Sequence, residues 1–151
     1  MLYRGKSLYT INEAQVIESF QCLLKDIEHI TYASYLCELI HISMQDEESN
    51  RRLFVCLISA FYFMKNEVVD IEILARAFEV KLLDATGFSY NLETCAICRK
   101  KISSSDYISF QYGGGVCGNC EKVNGFKISY AAFNALRFLS KMSFENIYRV
   151  T

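Results

Sequence analysis

Cys95, Cys98, Cys117 and Cys120 fall as two Cys-x2-Cys pairs with eighteen residues between them. A Cys-x2-Cys loop presents two thiolates to one ion, and two such loops complete the tetrahedron of soft ligands that Zn²⁺ takes in structural sites. The other reading of the same residues is two pairs of buried or disulfide-linked cysteines. Turn-formers separate the pairs: Ser103-Ser104-Ser105, then Gly113-Gly114-Gly115, with the strand-like run Tyr107-Ile108-Ser109-Phe110 between them. The expected object is one structural Zn²⁺ held by four thiolates on a short hairpin, with no position open for water or substrate. The loop holds too few apolar residues to fold alone, so metal binding would supply folding free energy.

Two further groups could meet an anion. Arg99, Lys100 and Lys101 follow the first cysteine pair directly, and Lys122 and Lys127 extend that cluster. Tyr130, Asn134, Arg137 and Lys141 fall at i, i+4, i+7 and i+11, so they share one helix face, to which Arg137 and Lys141 give positive charge. A phosphate or an acidic peptide tail could use either group; an ordinary solvated surface is the plain alternative. His29 and His41 stand alone and read as helix-surface or core residues. Phe61-Tyr62-Phe63 reads as core, since adjacent helical residues point in different directions and cannot make one stacking surface.

No Ser/His/Asp grouping, paired-carboxylate site or phosphate-cradling glycine motif occurs, so the chain is not expected to be an enzyme. A redox Cys-x2-Cys would need a low-pKa thiol in a strand–helix context, which is not apparent. A GTPase-activating zinc module has similar cysteine spacing but places its finger ahead of its helices and an arginine just after it. Here four expected helices come first, and no Arg lies between Cys120 and Arg137.

The elements that would hold these groups follow from composition and periodicity. Of 151 residues, 52% are hydrophobic, with 11 Phe and 10 Tyr, enough for a sizeable core in one domain or a domain with a small appendage. There is no proline, which suits long helices. The longest apolar run, Leu53 to Met64, is too short to span a bilayer, and no signal peptide is visible at the amino terminus. Cys22, Cys37 and Cys56 sit singly in apolar patterns and read as small core residues, which points to a reducing, cytoplasmic compartment. The net charge of −1 is uneven: residues 1–90 hold 8 Lys and Arg against 13 Asp and Glu, and residues 91–151 hold 8 against 4. The basic part is the cysteine segment together with the carboxy-terminal residues after it, which permits an anionic partner there.

Leu2 to Leu8 looks like a strand with no obvious partner nearby, so it must pair with something beyond its neighbours. Asn12 with Gln15 resembles a capping box, opening a helix that carries Ile17, Phe20, Leu24 and Ile27. A second helix is expected over about Thr31 to Met44 and a third over about Arg51 to Lys65. Asp70 caps a fourth, ending at Gly87, and Ser129 caps a fifth with Ala132, Phe133, Leu136 and Leu139 inward. Ser143 with Glu145 opens a short last one. The fold class is mainly α: a bundle of five to six helices with an inserted four-cysteine zinc-finger loop at about 88–125 and an amino-terminal strand stub.

The order of these pieces is familiar. A strand stub, helices, a helix ending Leu82-Leu83-Asp84-Ala85-Thr86-Gly87-Phe88, then Cys95-Ala96-Ile97-Cys98 resembles the RecO family of bacterial recombination mediators. Phe110, Gly113-Gly114-Gly115 and Cys117-Gly118-Asn119-Cys120 resemble that family's return to the second cysteine pair. Leu2-Tyr3-Arg4-Gly5-Lys6-Ser7-Leu8 looks like the last strand of its amino-terminal OB-fold, most of which is missing ahead of Met1. The resemblance implies a strand stub over 1–9 and a helical, zinc-binding domain over 10–151. It implies binding to the acidic carboxy-terminal tail of single-stranded-DNA-binding protein, to RecR and to single-stranded DNA. By the same resemblance the family helps load RecA and anneal strands, in the bacterial cytoplasm beside the nucleoid. OB-folds grip single strands, so much of that surface would be absent here. The competing expectation is a stand-alone zinc-stabilised adaptor for other proteins with no DNA role.

Overall fold

A computed structural model describes residues 2–4 and 9–149. The bundle is built by α1 (Ile27–Ser43), α2 (Arg51–Lys65), α3 (Ile71–Ala85) and α4 (Tyr130–Lys141). Short 3₁₀ helices at Gln21–Lys25 and Phe144–Arg149 precede and follow them. The mainly-α expectation holds, and side chains set most boundaries. Asp26, Asn50, Asp70 and Ser129 each accept an amide N–H from the first turn of the helix they precede, satisfying a donor that has no partner inside the helix. At the end of α3, Gly87 takes φ +83°. The Phe88 amide then donates to the Leu83 carbonyl at 2.8 Å and the Gly87 amide to that of Asp84 at 3.3 Å, closing the last turn in a Schellman motif.

The main core lies where Leu36 of α1, Leu53, Ala60 and Met64 of α2, and Leu74, Ala75, Phe78 and Leu82 of α3 meet. Phe144 and Ile147, beyond α4, close it from the far end of the chain. Phe61 and Phe63 pack against this core, and Phe20 sets its ring edge-on to Phe61 and Tyr62.

Three sequence expectations are corrected. Residues 12–20 form no helix: Phe20 is left-handed at φ 50°, which stops any helix running through it. The Glu18 carboxylate explains the departure, accepting from the Ser19 and Phe20 amides and from Lys65 Nζ at 2.8 Å. Ile17 and Leu24 are consequently exposed, and Leu23 is the buried residue of the 3₁₀ turn. The strand at the amino terminus has a near neighbour: β1 (Leu2–Arg4) pairs antiparallel with β2 (Tyr9–Ile11), Leu2 opposite Ile11 and Arg4 opposite Tyr9. Residues 5–8 of that expected strand lie outside the described residues. Cys22 and Cys37 are exposed and so are not core residues, whereas Cys56 is half-buried and packs against the main core.

His29 lies half-buried on the surface of α1, as expected, and is held there by two partners. Its Nδ1 meets the Asp26 carboxylate, and its Nε2 meets the Met64 carbonyl at the end of α2 at 3.2 Å. Both partners are acceptors, so only the imidazolium donates to both. The hydrogen bond to Asp26 raises the His29 pKa above 6.5, and the same bond lowers that of Asp26 below 3.8. The histidine's contribution is complete below 6.5 and is lost as pH rises through the higher folded value. The carboxylate's is complete above 3.8 and is lost as pH falls through the lower one. His29→Gln should therefore lose more stability, relative to the parent chain, near about pH 5 than near about pH 8 in denaturant titrations. A difference that stays flat over that range would deny the imidazolium its role.

Candidate metal centre

Between α3 and α4 the chain leaves the bundle and builds a small ribbon. Its sheet has β3 (Tyr107–Ser109) at the centre, with β4 (Gly114–Gly115) and β5 (Gly125–Lys127) antiparallel on either side. Ile108 stands opposite Gly115 on one side and Phe126 on the other. Under this sheet Leu92, Cys95, Ile102, Tyr107, Ile108 and Val116 pack on Phe133 of α4, so the ribbon's core includes a helix that comes after it in sequence.

Backbone hydrogen bonds shape the first knuckle. The Cys95 amide donates to the Lys100 carbonyl at 2.8 Å, and the Arg99 amide donates back to the Cys95 carbonyl at 2.9 Å. Arg99 must turn left-handed, φ 64°, to close this loop. The Ala96 amide donates to the Gly115 carbonyl at 2.9 Å, stitching the knuckle to β4. Asn91 is the hinge of the ribbon. Its backbone exchanges hydrogen bonds with Gly113 and Gly115, and its side-chain oxygen accepts from the Glu93 and Thr94 amides. Ser105, fully inside, accepts the Tyr107 amide at 3.1 Å with its hydroxyl facing the Tyr107 and Val116 carbonyls. Nothing in the sequence marks Asn91 or Ser105 for these places beyond their being turn-forming residue types.

Two glycines are required by contact. A Cβ on Gly114 would lie 2.3 Å from the Asn91 carbonyl oxygen, and one on Gly125 would lie 2.0 Å from that of Ile108 and 2.8 Å from the Ser109 Cα. These are backbone atoms of paired strands and cannot yield cheaply. Gly125→Ala should lower stability by about 1–3 kcal/mol and loosen metal retention, whereas Gly118→Ala, with open space around it, should do neither. Thermal melts with a zinc-release assay distinguish the two.

The two knuckles bring the four cysteine sulfurs together, all within 4.8 Å of one another. Cys98 and Cys117 Sγ stand 3.7 Å apart. Sulfurs at the corners of a tetrahedron, each about 2.3 Å from a zinc ion, lie about 3.8 Å apart, so the set fits that ion. The Cys117 amide points at the Cys95 sulfur at 3.4 Å. Burial alone would push the Cys95 thiol up, but the amides of Cys117, Cys98 and Ile97 outweigh it and bring it down to about 6. Contact with the Cys117 sulfur, then burial and the other two sulfurs, push Cys120 up to about 12. Bare, the cluster cannot hold four thiolates; a dication removes that conflict by replacing the protons. Cys95 is fully buried, so its low-pKa sulfur is closed to the attack that redox chemistry needs.

The expected cation groups take definite places. Arg99, Lys100 and Lys101 are exposed on the first knuckle, and Tyr130 is exposed at the start of α4. Arg137 donates to the Ser103 carbonyl, and Lys141 pairs with Glu93 at 2.8 Å. Glu93 is where the two groups converge. Its hydrogen bond to Lys141 holds its carboxyl below the usual range, and the charges of Lys141, Arg137 and Lys101 add to this against the opposing effect of burial. Lys101 of the first knuckle thus acts on the same carboxylate as Arg137 and Lys141 of α4, which the sequence shows as separate clusters, while Lys122 pairs with Asp106.

A helical bundle closed over an inserted four-sulfur ribbon defines a domain built around a site for one tetrahedral metal ion with no open ligand position. Residues 24–151 match the model of the family described as Recombination protein O C terminal, and the chain belongs to that family. Proteins named DNA repair protein RecO are similar along its whole length. That of Clostridium novyi (strain NT) is 57% identical over 151 residues, all of this chain and 59% of that protein. That of Clostridium kluyveri is 52% identical over 150 residues, 99% of this chain and 58% of that protein. That of Clostridium acetobutylicum is 51% identical over 150 residues, 99% and 61% respectively. The chain thus spans about three-fifths of the length of these curated relatives. Among the described residues no helix is long and apolar enough to cross a membrane.

Proposed function

We propose that this chain is the helical, metal-stabilised part of a recombination mediator in bacterial DNA repair. It binds the acidic tail of single-stranded-DNA-binding protein, the partner RecR and single-stranded DNA, and so helps load RecA and anneal strands. It works as a binding protein and not as an enzyme, in the cytoplasm beside the nucleoid. Residues 1–9 belong to the edge of an OB-fold, and residues 10–151 form the helical domain. Cys95, Cys98, Cys117 and Cys120 hold one structural Zn²⁺, which supplies folding free energy and no chemistry to a substrate.

The observation that carries this reading is the family match over 24–151, reinforced by relatives named for DNA repair that align with the whole chain. The cations acting on Glu93, namely Lys101, Arg137 and Lys141, support an anionic partner, with Arg99 and Lys100 exposed on the first knuckle and Tyr130 exposed at the start of α4. A separate apolar groove of about 620 Å³ between α3 and α4 is lined by Ile73, Val80, Leu136, Phe138 and Leu139, but Asp70, Glu72 and Glu79 line it too and Arg76 is ion-paired to the last two, so its charge does not favour an acidic tail.

The test is anisotropy of a labelled acidic tail peptide titrated with the zinc-loaded chain at two salt concentrations. Saturable micromolar binding is expected, weaker at higher salt and weakened by about fivefold or more in Arg137→Ala. Glu93→Gln, which removes the competing acid, should strengthen it. No binding with zinc and helicity intact would overturn the tail site on this chain and leave the zinc-stabilised adaptor as the reading to pursue.

A further inference from the structure

Away from the metal, a cavity of about 700 Å³ opens between the start of α2, the middle of α3 and the chain leaving α4. Arg51, Arg52, Lys81 and Lys141 line it, against Glu145 as its one carboxylate. Two of the cations are already engaged, Arg52 with Asp84 at 2.9 Å and Lys141 with Glu93 at 2.8 Å. Arg51 and Lys81 take part in no ion pair among the described residues.

Lys81 is the unusual member. It is 8% exposed, and its Nζ donates to the Ser140 carbonyl at 2.9 Å. An ammonium carries three donors and a full charge, and a single neutral carbonyl satisfies one donor and none of the charge. Buried charges are otherwise paired, because an unpaired one costs several kcal/mol of lost hydration. Burial accordingly pushes the Lys81 ammonium down, with Asp84 opposing and Arg52 adding to the effect. The one hydrogen bond serves a carbonyl in the last turn of α4 and leaves two donors and the charge without a partner among the described residues.

We propose that this cavity is a binding site for a phosphoryl group, whose oxygens take their charge pairing from Lys81 and Arg51. The hydroxyls of Ser59 and Ser143, which also line it, supply further donors. A phosphoryl group matches this set better than a carboxylate does, because it brings more acceptor oxygens and more charge to a site with many donors. The volume is that of a small-molecule pocket and exceeds what one phosphate fills, so a nucleoside has room beside it. Two sources share this chemistry, a free nucleotide and the phosphorylated end of a nucleic-acid strand. The site is separate from the Glu93 surface and shares only Lys141 with it, so neither proposal depends on the other.

The experiment titrates the zinc-loaded chain with inorganic phosphate at constant ionic strength, following the Ser140 and Phe144 amides by NMR and the heat by calorimetry. Saturable binding at about millimolar or tighter is expected, with shifts confined to the cavity. Arg51→Gln should weaken it about tenfold, and Lys81→Met, which fills the same buried space without charge, should abolish it. Should Lys81→Met fail to fold, Arg51→Gln decides, since Arg51 is exposed and makes no ion pair among the described residues. A mononucleotide binding more tightly than a 5′-phosphorylated oligothymidylate identifies a free nucleotide, and the reverse order identifies a strand end. No saturable shift in the millimolar range, binding indifferent to Arg51→Gln, or equal binding of the unphosphorylated oligonucleotide overturns the proposal.

Discussion

Cys95→Ser should release the metal and unfold the ribbon while leaving α1, α2 and α3 helical. The ribbon buries half a dozen apolar side chains, worth about 1.5–3 kcal/mol each. That is a small core for the length of backbone it must order, so metal binding supplies folding free energy here. Cys95 is the ligand whose loss costs most, because it is also a fully buried member of the ribbon core and receives the Cys117 amide. Hydrogen exchange should show protection lost at Ile108 and Val116 and kept at Leu74 and Phe78. Chelation of the parent chain should do the same. One equivalent of zinc retained by the serine variant, with protection unchanged, would remove the four-thiolate assignment.

Phe133→Ala should cost about 3–5 kcal/mol. Its ring is fully buried among ribbon side chains although its backbone belongs to α4. A Cβ on Gly115 would meet that ring at 2.8 Å, which measures how closely helix and strand approach. Truncation therefore opens a cavity where the metal segment and the bundle are joined, and zinc affinity should fall together with thermal stability. Phe138→Ala, one turn on and largely exposed, is the control, expected within about 0.5 kcal/mol of the parent. Equal effects of the two would mean that α4 does not carry the ribbon.

Much of this was legible in the amino-acid order because local signals and tertiary packing agree there. Asp70 and Ser129 cap where they are expected to, and Gly87 closes α3 with the left-handed turn that its position demands. The cysteine spacing places four sulfurs in one cluster because the knuckles are short-range objects, set by hydrogen bonds across five or six residues. The misread stretch, 12–20, fails for the opposite reason. Its capping pair and its three-and-four spacing of apolar residues are genuine local signals, but Glu18 is drawn to Lys65, forty-seven residues away, and that ion pair takes the turn the helix would have used. The meeting of Arg137, Lys141 and Lys101 around Glu93 is equally illegible, since it depends on how the ribbon folds back along α4.

The placement of the ribbon ahead of α4 also orders events during synthesis. The bundle core is incomplete until Phe144 and Ile147 arrive, and these leave the ribosome after all four cysteines. Phe133 belongs to the cluster that holds Cys95, Ile108 and Val116, so the ribbon and α4 complete one another. Where an ion is what orders the ribbon, its loss would leave Phe133 without a seat, and the residues that follow α4, Phe144 and Ile147, would close the bundle core less well.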